Sequence, residues 1–443
     1  MAASDSARDE GLVRVIGTGA LGLGVVNMVV GAGIFVLPGL VAVELGSAAI
    51  IAYLICSVTV ALVFLCFAEV GSRVSRSGGA YAYVEEAFGP FIGFVASILL
   101  WFGFSALADA AITVIMVDSM ALVFPILSQF FPRALFIIAL LSILAYVNVR
   151  GVKAGVRLYV FNTLAKLVPL LLLLVVGLFV MNVEHFAIPE WPSAAKIGAS
   201  SILLFYAFTG AESALNASGE IKNPARTVPL GLLLGLGAIL LLYVGLQTVA
   251  QGVLGPELAN NTDAPLVAVA TAVFGDWGGK MLIAGVVISI YSGLSGDMLG
   301  GPRIIFASSL DDNLPSFFGK VHPTYKTPHV AIIFFAVVIG VFALSGTFKY
   351  LAVVATGSLL LVDLGVILAV LRLRQRHGMP KKGEFKLPFG PLIPILSCAV
   401  VGWLLMQMPP NEATTVAALV GACVAIYAIR SVFRGARKPT NSR

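Results

Sequence analysis

Apolar runs of about 20 residues, the length that crosses a ~30 Å hydrocarbon core as a helix, follow one another along almost the whole of this 443-residue chain. In a bilayer core, backbone N–H and C=O groups find no water, so each run has to satisfy its own hydrogen bonds by coiling. Composition agrees. Hydrophobic residues make up 59% and charged residues 11% of the chain, where a soluble protein carries about 25% charged, and the mean hydropathy is +1.00. The reading is an all-α polytopic membrane protein with twelve transmembrane helices. The spans fall at approximately 14–40, 47–71, 89–124, 133–149, 156–181, 194–217, 228–254, 279–309, 329–346, 349–373, 389–408 and 413–433.

The cations orient these spans. With the N-terminus in the cytoplasm, only Arg133, Lys196, Lys280 and Lys349 lie outside, and Lys166 lies within the membrane. Every other Lys and Arg falls on the inner side, which is the distribution the positive-inside rule describes. Both termini are then cytoplasmic in a multi-pass protein of the cell (inner) membrane. The basic tail from Arg430 is a solvated, membrane-proximal face and calls for no nucleic acid. The polar start, MAASDSARDEG, runs directly into the first span without the pattern of a cleavable signal. Cys56, Cys66, Cys398 and Cys423 all sit inside apolar spans without metal-ligand spacing, so they read as small buried hydrophobes.

Two spans are interrupted. Gly24 to Pro38 reads GVVNMVVGAGIFVLP, with Gly31, Ala32 and Gly33 in mid-span. Each glycine weakens a helix by roughly 1 kcal/mol relative to alanine. The stretch therefore either packs tightly against another helix as a small-residue seam or unwinds to bind something. Five spans later, Leu203 to Glu220 reads LLFYAFTGAESALNASGE, interrupted at Thr209, Gly210 and Glu212. Matching interruptions five spans apart suggest a five-plus-five inverted repeat with discontinuous helices 1 and 6, the arrangement that points to a transporter's central site. The domain reading is a cytoplasmic tail at 1–13, repeat 1 at 14–182 and repeat 2 at 190–376. The last two spans lie at 388–434, followed by the basic tail at 435–443. Between spans, Tyr81 to Phe88 reads as a short helix after a Ser77-Gly78-Gly79 turn, and Pro265 to Phe274 as an external lid helix.

At the first break, amides of Gly31, Ala32 and Gly33 together with a half-helix N-terminus suit a carboxylate. Carbonyls near Tyr206 to Thr209 at the second suit an ammonium. Tyr206 and Phe208 flank that break, where an aromatic ring either stacks on a bound solute or packs as core. Lys166, mid-way along span five, costs several kcal/mol unless paired or deprotonated. It acts as a fixed cation in place of sodium, as a proton carrier, or in an interhelical salt bridge. Asp109 and Glu212 are intramembrane carboxylates and candidates for proton coupling, for pairing with Lys166 or for holding a cationic solute. Asp118, Asp297 and Asp363 are weaker candidates, and Glu69, near the inner boundary, supports a neighbouring loop. On span three Gly103, Phe104 and Ala108 share a face, and Asp109 lies one helical step of about 100° away.

These residues resemble the amino acid–polyamine–organocation transporter superfamily, whose members have the leucine-transporter fold. The resemblance rests on VGAGIFVLPG, SRSGGAYAYVEEAFGPFIGF, FYAFTGAESALNASGEIKNPARTVP and FASSLDDNLPSFFGKVHP followed by TP. It implies alternating access around a central site. The span-one GxG backbone would hold the solute carboxylate, and carbonyls of Val29, Tyr206 and Thr209 its amino group. Tyr206 would be an aromatic gate. A span-five lysine at the place of Lys166 implies sodium independence. The GxG here carries Ala32 where relatives often carry serine, one hydroxyl fewer.

The expected function is thus secondary active amino acid transport by alternating access, either proton-coupled symport or exchange. The alternatives are a polyamine or cationic amino acid antiporter and a non-transporting amino acid sensor. If Asp109 reaches the pocket, a cationic amino acid or polyamine fits. If not, Phe104, Ala108 and Tyr206 make an apolar pocket for a neutral one, the preferred reading. A channel lacks a repeated filter or ring of like charge here. A membrane enzyme is disfavoured because His185, His322, His329 and His377 are scattered in loops. Expected partners are the amino acid solute, protons and membrane lipid, with no cofactor and no metal.

Overall fold

The computed structural model describes residues 16–74, 79–150, 156–215, 221–310 and 314–436. The terminal tail at 1–13, Ser77 and Gly78 of the expected turn, and the basic tail from 437 lie outside the described residues. Among the described residues the fold is helical, with a single parallel bridge between Ile16 and Ile221. Nine helical stretches there are long and apolar enough to cross a membrane, and four further apolar helices are shorter.

In chain order the helices are α1 (Thr18–Val29), α2 (Gly33–Leu45), α3 (Ala49–Arg73), α4 (Gly79–Phe88) and α5 (Pro90–Ile98). They continue with α6 (Leu107–Ala121), α7 (Phe130–Arg150), α8 (Val156–Val180), α9 (Ala194–Phe205) and the single turn α10 (Ala211–Ala214). Then come α11 (Pro224–Leu254), α12 (Pro265–Phe274), α13 (Asp276–Leu310) and α14 (His329–Ser345). The last are α15 (Phe348–His377), α16 (Leu392–Met406) and α17 (Pro410–Ala436).

The first expected span is two helices. α1 stops at Val29, and α2 restarts at Gly33 and runs to Leu45, five residues past the expected end. The sixth is likewise interrupted between α9 and α10. The third holds a π-helical stretch, Leu99–Ala106, between α5 and α6. The expected short helix is α4 and the expected lid helix is α12.

Close packing of the bundle runs through glycine. A Cβ on Gly231 would stand 2.7 Å from the Leu21 side chain, and one on Gly235 2.6 Å from Val25. These two glycines are four residues apart on α11, so they make a small-xxx-small groove into which α1 fits. The packing seam is therefore real, but it uses Gly22, Gly231 and Gly235 rather than Gly31 and Ala32. Outside the bundle's centre, α2 lies against the segment that leads into α12, where a Cβ on Gly39 would stand 3.2 Å from Pro265.

A buried ion pair ties helices together at the bundle's end. The Glu69 carboxylate on α3 is fully buried. It accepts from Arg374 Nε at 2.7 Å and Arg374 Nη2 at 2.6 Å on α15, and from the Leu387 amide at 2.9 Å. Ser72 Oγ accepts from the Phe385 amide at 3.1 Å, and Arg73 donates to the Gly378 carbonyl at 3.0 Å. The loop that Glu69 supports is thus the distant one at 378–390. Removing one partner from such a pair strands the other, at a cost of about 3–5 kcal/mol. Glu69→Ala should lower the thermal unfolding midpoint in detergent markedly. Glu69→Ala with Arg374→Ala should cost less than the two single changes added together; strict additivity would show that the pair is not coupled.

Candidate functional site

The two interruptions cross at the middle of the bundle and enclose a cavity of about 70 Å³. Met28, Val29, Gly31, Ala32 and Gly33 line it from the first break, and Tyr206, Ala207, Thr209 and Gly210 from the second. Phe104, Ala108, Asp109 and Ile112 line it from the π stretch and α6, and Ser289, Ile290, Gly293 and Asp297 from α13. The crossing requires glycine. Gly210 has φ +112°, a conformation that favours glycine, and a Cβ there would stand 2.8 Å from the Met28 carbonyl. A Cβ on Gly33 would stand 3.0 Å from the Ala207 Cα. By contrast, a Cβ on Gly31 would meet only the Val29 carbonyl, at 3.8 Å.

A helix that stops in mid-membrane leaves its last carbonyls without intrahelical donors. Here they receive donors from three other helices. Lys166 on α8 is buried to 1% exposure, and its ammonium donates to the carbonyls of Asn27 and, at 2.8 Å, Val30. Tyr243 Oη on α11 donates to the Val29 carbonyl at 2.8 Å, and Ser289 Oγ on α13 to the Val30 carbonyl at 3.3 Å. A cation at a helix C-terminus also meets the favourable end of the helix dipole. Lys166 thus bonds to backbone carbonyls, and its ammonium does not line the cavity.

The second break is closed from within. Thr209 Oγ1 donates to the Tyr206 carbonyl at 2.7 Å, and the Gly210 amide donates to the Glu212 carboxylate at 2.8 Å. Tyr206 Oη donates to the Ala108 carbonyl at 3.0 Å, and its ring meets Phe348 edge-on at 5.6 Å.

Of the residues singled out from the sequence, Val29, Gly31, Ala32, Gly33, Phe104, Ala108, Tyr206, Thr209 and Asp109 are brought together around the cavity. Three lie elsewhere. Phe208 packs behind the break, 5.0 Å from the Tyr243 ring and 6.5 Å from the Tyr53 ring. Glu212 ties back to its own break, and Lys166 holds the end of α1. Two expected backbone groups are also engaged. The Val29 carbonyl accepts from Tyr243 and, at 2.7 Å, from the Gly31 amide, and the Tyr206 carbonyl accepts from Thr209. This leaves Ala32 and Gly33 as the amides that open the first turn of α2.

Asp109 reaches the cavity because the π stretch before it carries extra residues per turn and changes the phase of the span. Gly103 is turned away by the same shift; a Cβ on it would meet Ser358 at 2.7 Å. Asp297 lines the cavity too, although its sequence context made it a weaker candidate. Its signal was helical spacing, since Ser289, Gly293 and Asp297 fall four residues apart on one face of α13.

The two glycines of the first break should separate on substitution. Gly33→Ala should lower solute affinity at least tenfold by pushing the breaks apart, whereas Gly31→Ala should leave the protein's unfolding midpoint unchanged. Binding isotherms and thermal scans of both variants measure this; equal behaviour would contradict the assigned geometry.

Known proteins are similar to this chain over two thirds or more of its length. The methylthioribose transporter of Bacillus subtilis (strain 168) is 28% identical over 434 residues, covering 92% of this chain and 91% of the relative. The serine/threonine exchanger SteT of the same organism is 29% identical over 398 residues, covering 88% and 90%. The cadaverine/lysine antiporter of Escherichia coli (strain K12) is 27% identical over 303 residues, covering 67% of each chain. The profile of the amino acid permease family matches residues 19–429, and the chain therefore belongs to that family.

Proposed function

We propose that the protein is a secondary active transporter that moves amino acids across the cell membrane by alternating access and without sodium. The observation that carries this reading is the pair of interrupted helices crossing at a central cavity, with a lysine ammonium holding the end of the first. Interrupted helices at matching positions are how such carriers build a mid-membrane site. The second helix of each proposed repeat supports it, since α3 packs on α11 as spans two and seven of an inverted pair would. The relatives carry solutes as different as a thiosugar, hydroxy amino acids and a diamine with lysine, so they favour transport rather than one solute.

Sodium independence rests on Lys166. A fixed ammonium already neutralises the carbonyl end of α1, so no dissolved cation is required there to complete it. Charge balance then falls to protons or to an exchanged solute.

The cavity's accessibility supports an inward-facing reading. Met28, Gly31, Gly210, Ser213 and Asp297 line it and remain half-buried. They lie toward the end of the bundle that holds the start of α1. On the opposite side Gly33, Val36, Leu37, Leu203, Leu204 and Tyr206 are buried. With both termini cytoplasmic, as the cation distribution suggests, this is an inward-facing state closed by Tyr206 and by α2 against the segment before α12.

Uptake into proteoliposomes tests the proposal. Saturable uptake of amino acids should follow a proton gradient or internal amino acid and ignore a sodium gradient. Lys166→Ala should reduce it at least tenfold, because it strands the buried Asn27 carbonyl at about 1–3 kcal/mol, leaves Val30 only the Ser289 hydroxyl and releases α1. Sodium-driven uptake by the unaltered protein would refute sodium independence. Specific binding without any uptake would make the protein a sensor.

A further inference from the structure

Two carboxyl groups face the cavity, and among the described residues no cationic side chain lines it with them. Asp109, on α6, is 1% exposed, and neither of its carboxylate oxygens receives a hydrogen bond. The carboxyl of Asp297, on α13, adjoins it, and both line the cavity. No Lys, Arg or His is among the lining residues. The buried ammonium of Lys166 is committed to the carbonyls of α1. Three nearby hydroxyls are already used: Tyr206 Oη donates to Ala108, Ser289 Oγ to Val30 and Thr209 Oγ1 to Tyr206.

A buried carboxylate without a donor is unfavourable, and two side by side are more so. Such a pair either holds protons or receives a cation. A cation that arrives and leaves with each cycle is what a carrier's solute can supply. We infer that Asp109 and Asp297 receive a second positive group of the transported solute, so that the site takes dibasic amino acids and diamines in preference to neutral amino acids. This rests on the transport reading above and goes beyond it in naming the solute class.

The placement fits two-ended recognition. The first break supplies the amides of Ala32 and Gly33 along one wall, while the two carboxyls stand on α6 and α13. An α-amino acid head at the breaks leaves a side-chain ammonium or guanidinium to meet the carboxylates. A diamine would place one ammonium at the pair with no carboxylate for the amides of Ala32 and Gly33, and should therefore bind less tightly than lysine.

The test is a panel of labelled lysine, ornithine, cadaverine, serine and leucine, measured for binding to the purified protein and for uptake into proteoliposomes. The unaltered protein should bind lysine at least tenfold more tightly than leucine or serine. Asp109→Asn and Asp297→Asn should each weaken lysine at least tenfold and reduce the preference for lysine over leucine, and Asp109→Glu should retain lysine binding. Size-exclusion profiles and unfolding midpoints establish that each variant is folded. If neutral amino acids are carried and basic ones are not, the inference fails and the transport reading stands. Loss of neutral uptake in Asp109→Asn only under a pH gradient would make the pair a proton carrier and equally overturn the inference. If nothing in the panel binds or moves, both readings fail.

Discussion

The ammonium of Lys166 on the carbonyls of Asn27 and Val30 is the contact on which the rest of the site depends. An interrupted helix is stable inside a membrane only if its orphaned carbonyls find donors. A charged donor makes the strongest of such bonds. The same carbonyl end is reached by Tyr243 from α11 and Ser289 from α13. Breaking the helix therefore binds together three others that pack around it, α8, α11 and α13. The glycines then allow the crossing: Gly231 and Gly235 let α1 lie close on α11, and Gly33 and Gly210 let the two breaks pass within backbone contact.

The two breaks are built differently. The first is completed by side chains from elsewhere in the bundle. The second completes itself, with Thr209 on the Tyr206 carbonyl and Glu212 on the Gly210 amide. Rotation at the second break would leave its own hydrogen bonds in place, whereas displacing α1 requires surrendering bonds to three helices. The first break is thus the more firmly held, and its release is the step that a bound solute would have to offset. Differential contact with the two states is the only way a solute can shift such an equilibrium.

Much of this was legible in the sequence. A mid-span Gly-Ala-Gly and a mid-span Thr-Gly announce interruptions because glycine is costly in a helix and has to be explained by what surrounds it. Lys166 stood out because an ammonium in an apolar run has to be neutralised, although its partners could not be read: they are carbonyls rather than carboxylates. Nor could the engagement of the Val29 carbonyl, since its donor, Tyr243, lies 214 residues away in sequence. The face of span three was misjudged for a local reason. Leu99–Ala106 winds as a π-helix, nothing in LLWFGFSA signals it, and an α-helical count across it places Asp109 off the cavity. Phe208 was drawn into the site by its position beside Tyr206, but successive residues of a tight turn face different ways, and its ring faces Tyr53 and Tyr243.

The distribution of charge follows from the same constraint. Lys166 and the carboxylates of Asp109 and Asp297 all lie within the bundle, yet the structure forms no ion pair between them. Had Lys166 been paired with Asp109, each would have satisfied the other, leaving the carbonyls of α1 open and the cavity neutral. Committing the cation to backbone instead leaves the two carboxyls of the cavity without a cationic partner among the described residues. In a low-dielectric interior an unpaired polar group is costly, so whatever pairs with it is strongly selected. The interruption of the first helix thus does two things: it exposes the amides of α2 to the cavity, and it occupies the one ammonium that is buried among the described residues and that would otherwise have been free to pair with the opposite wall.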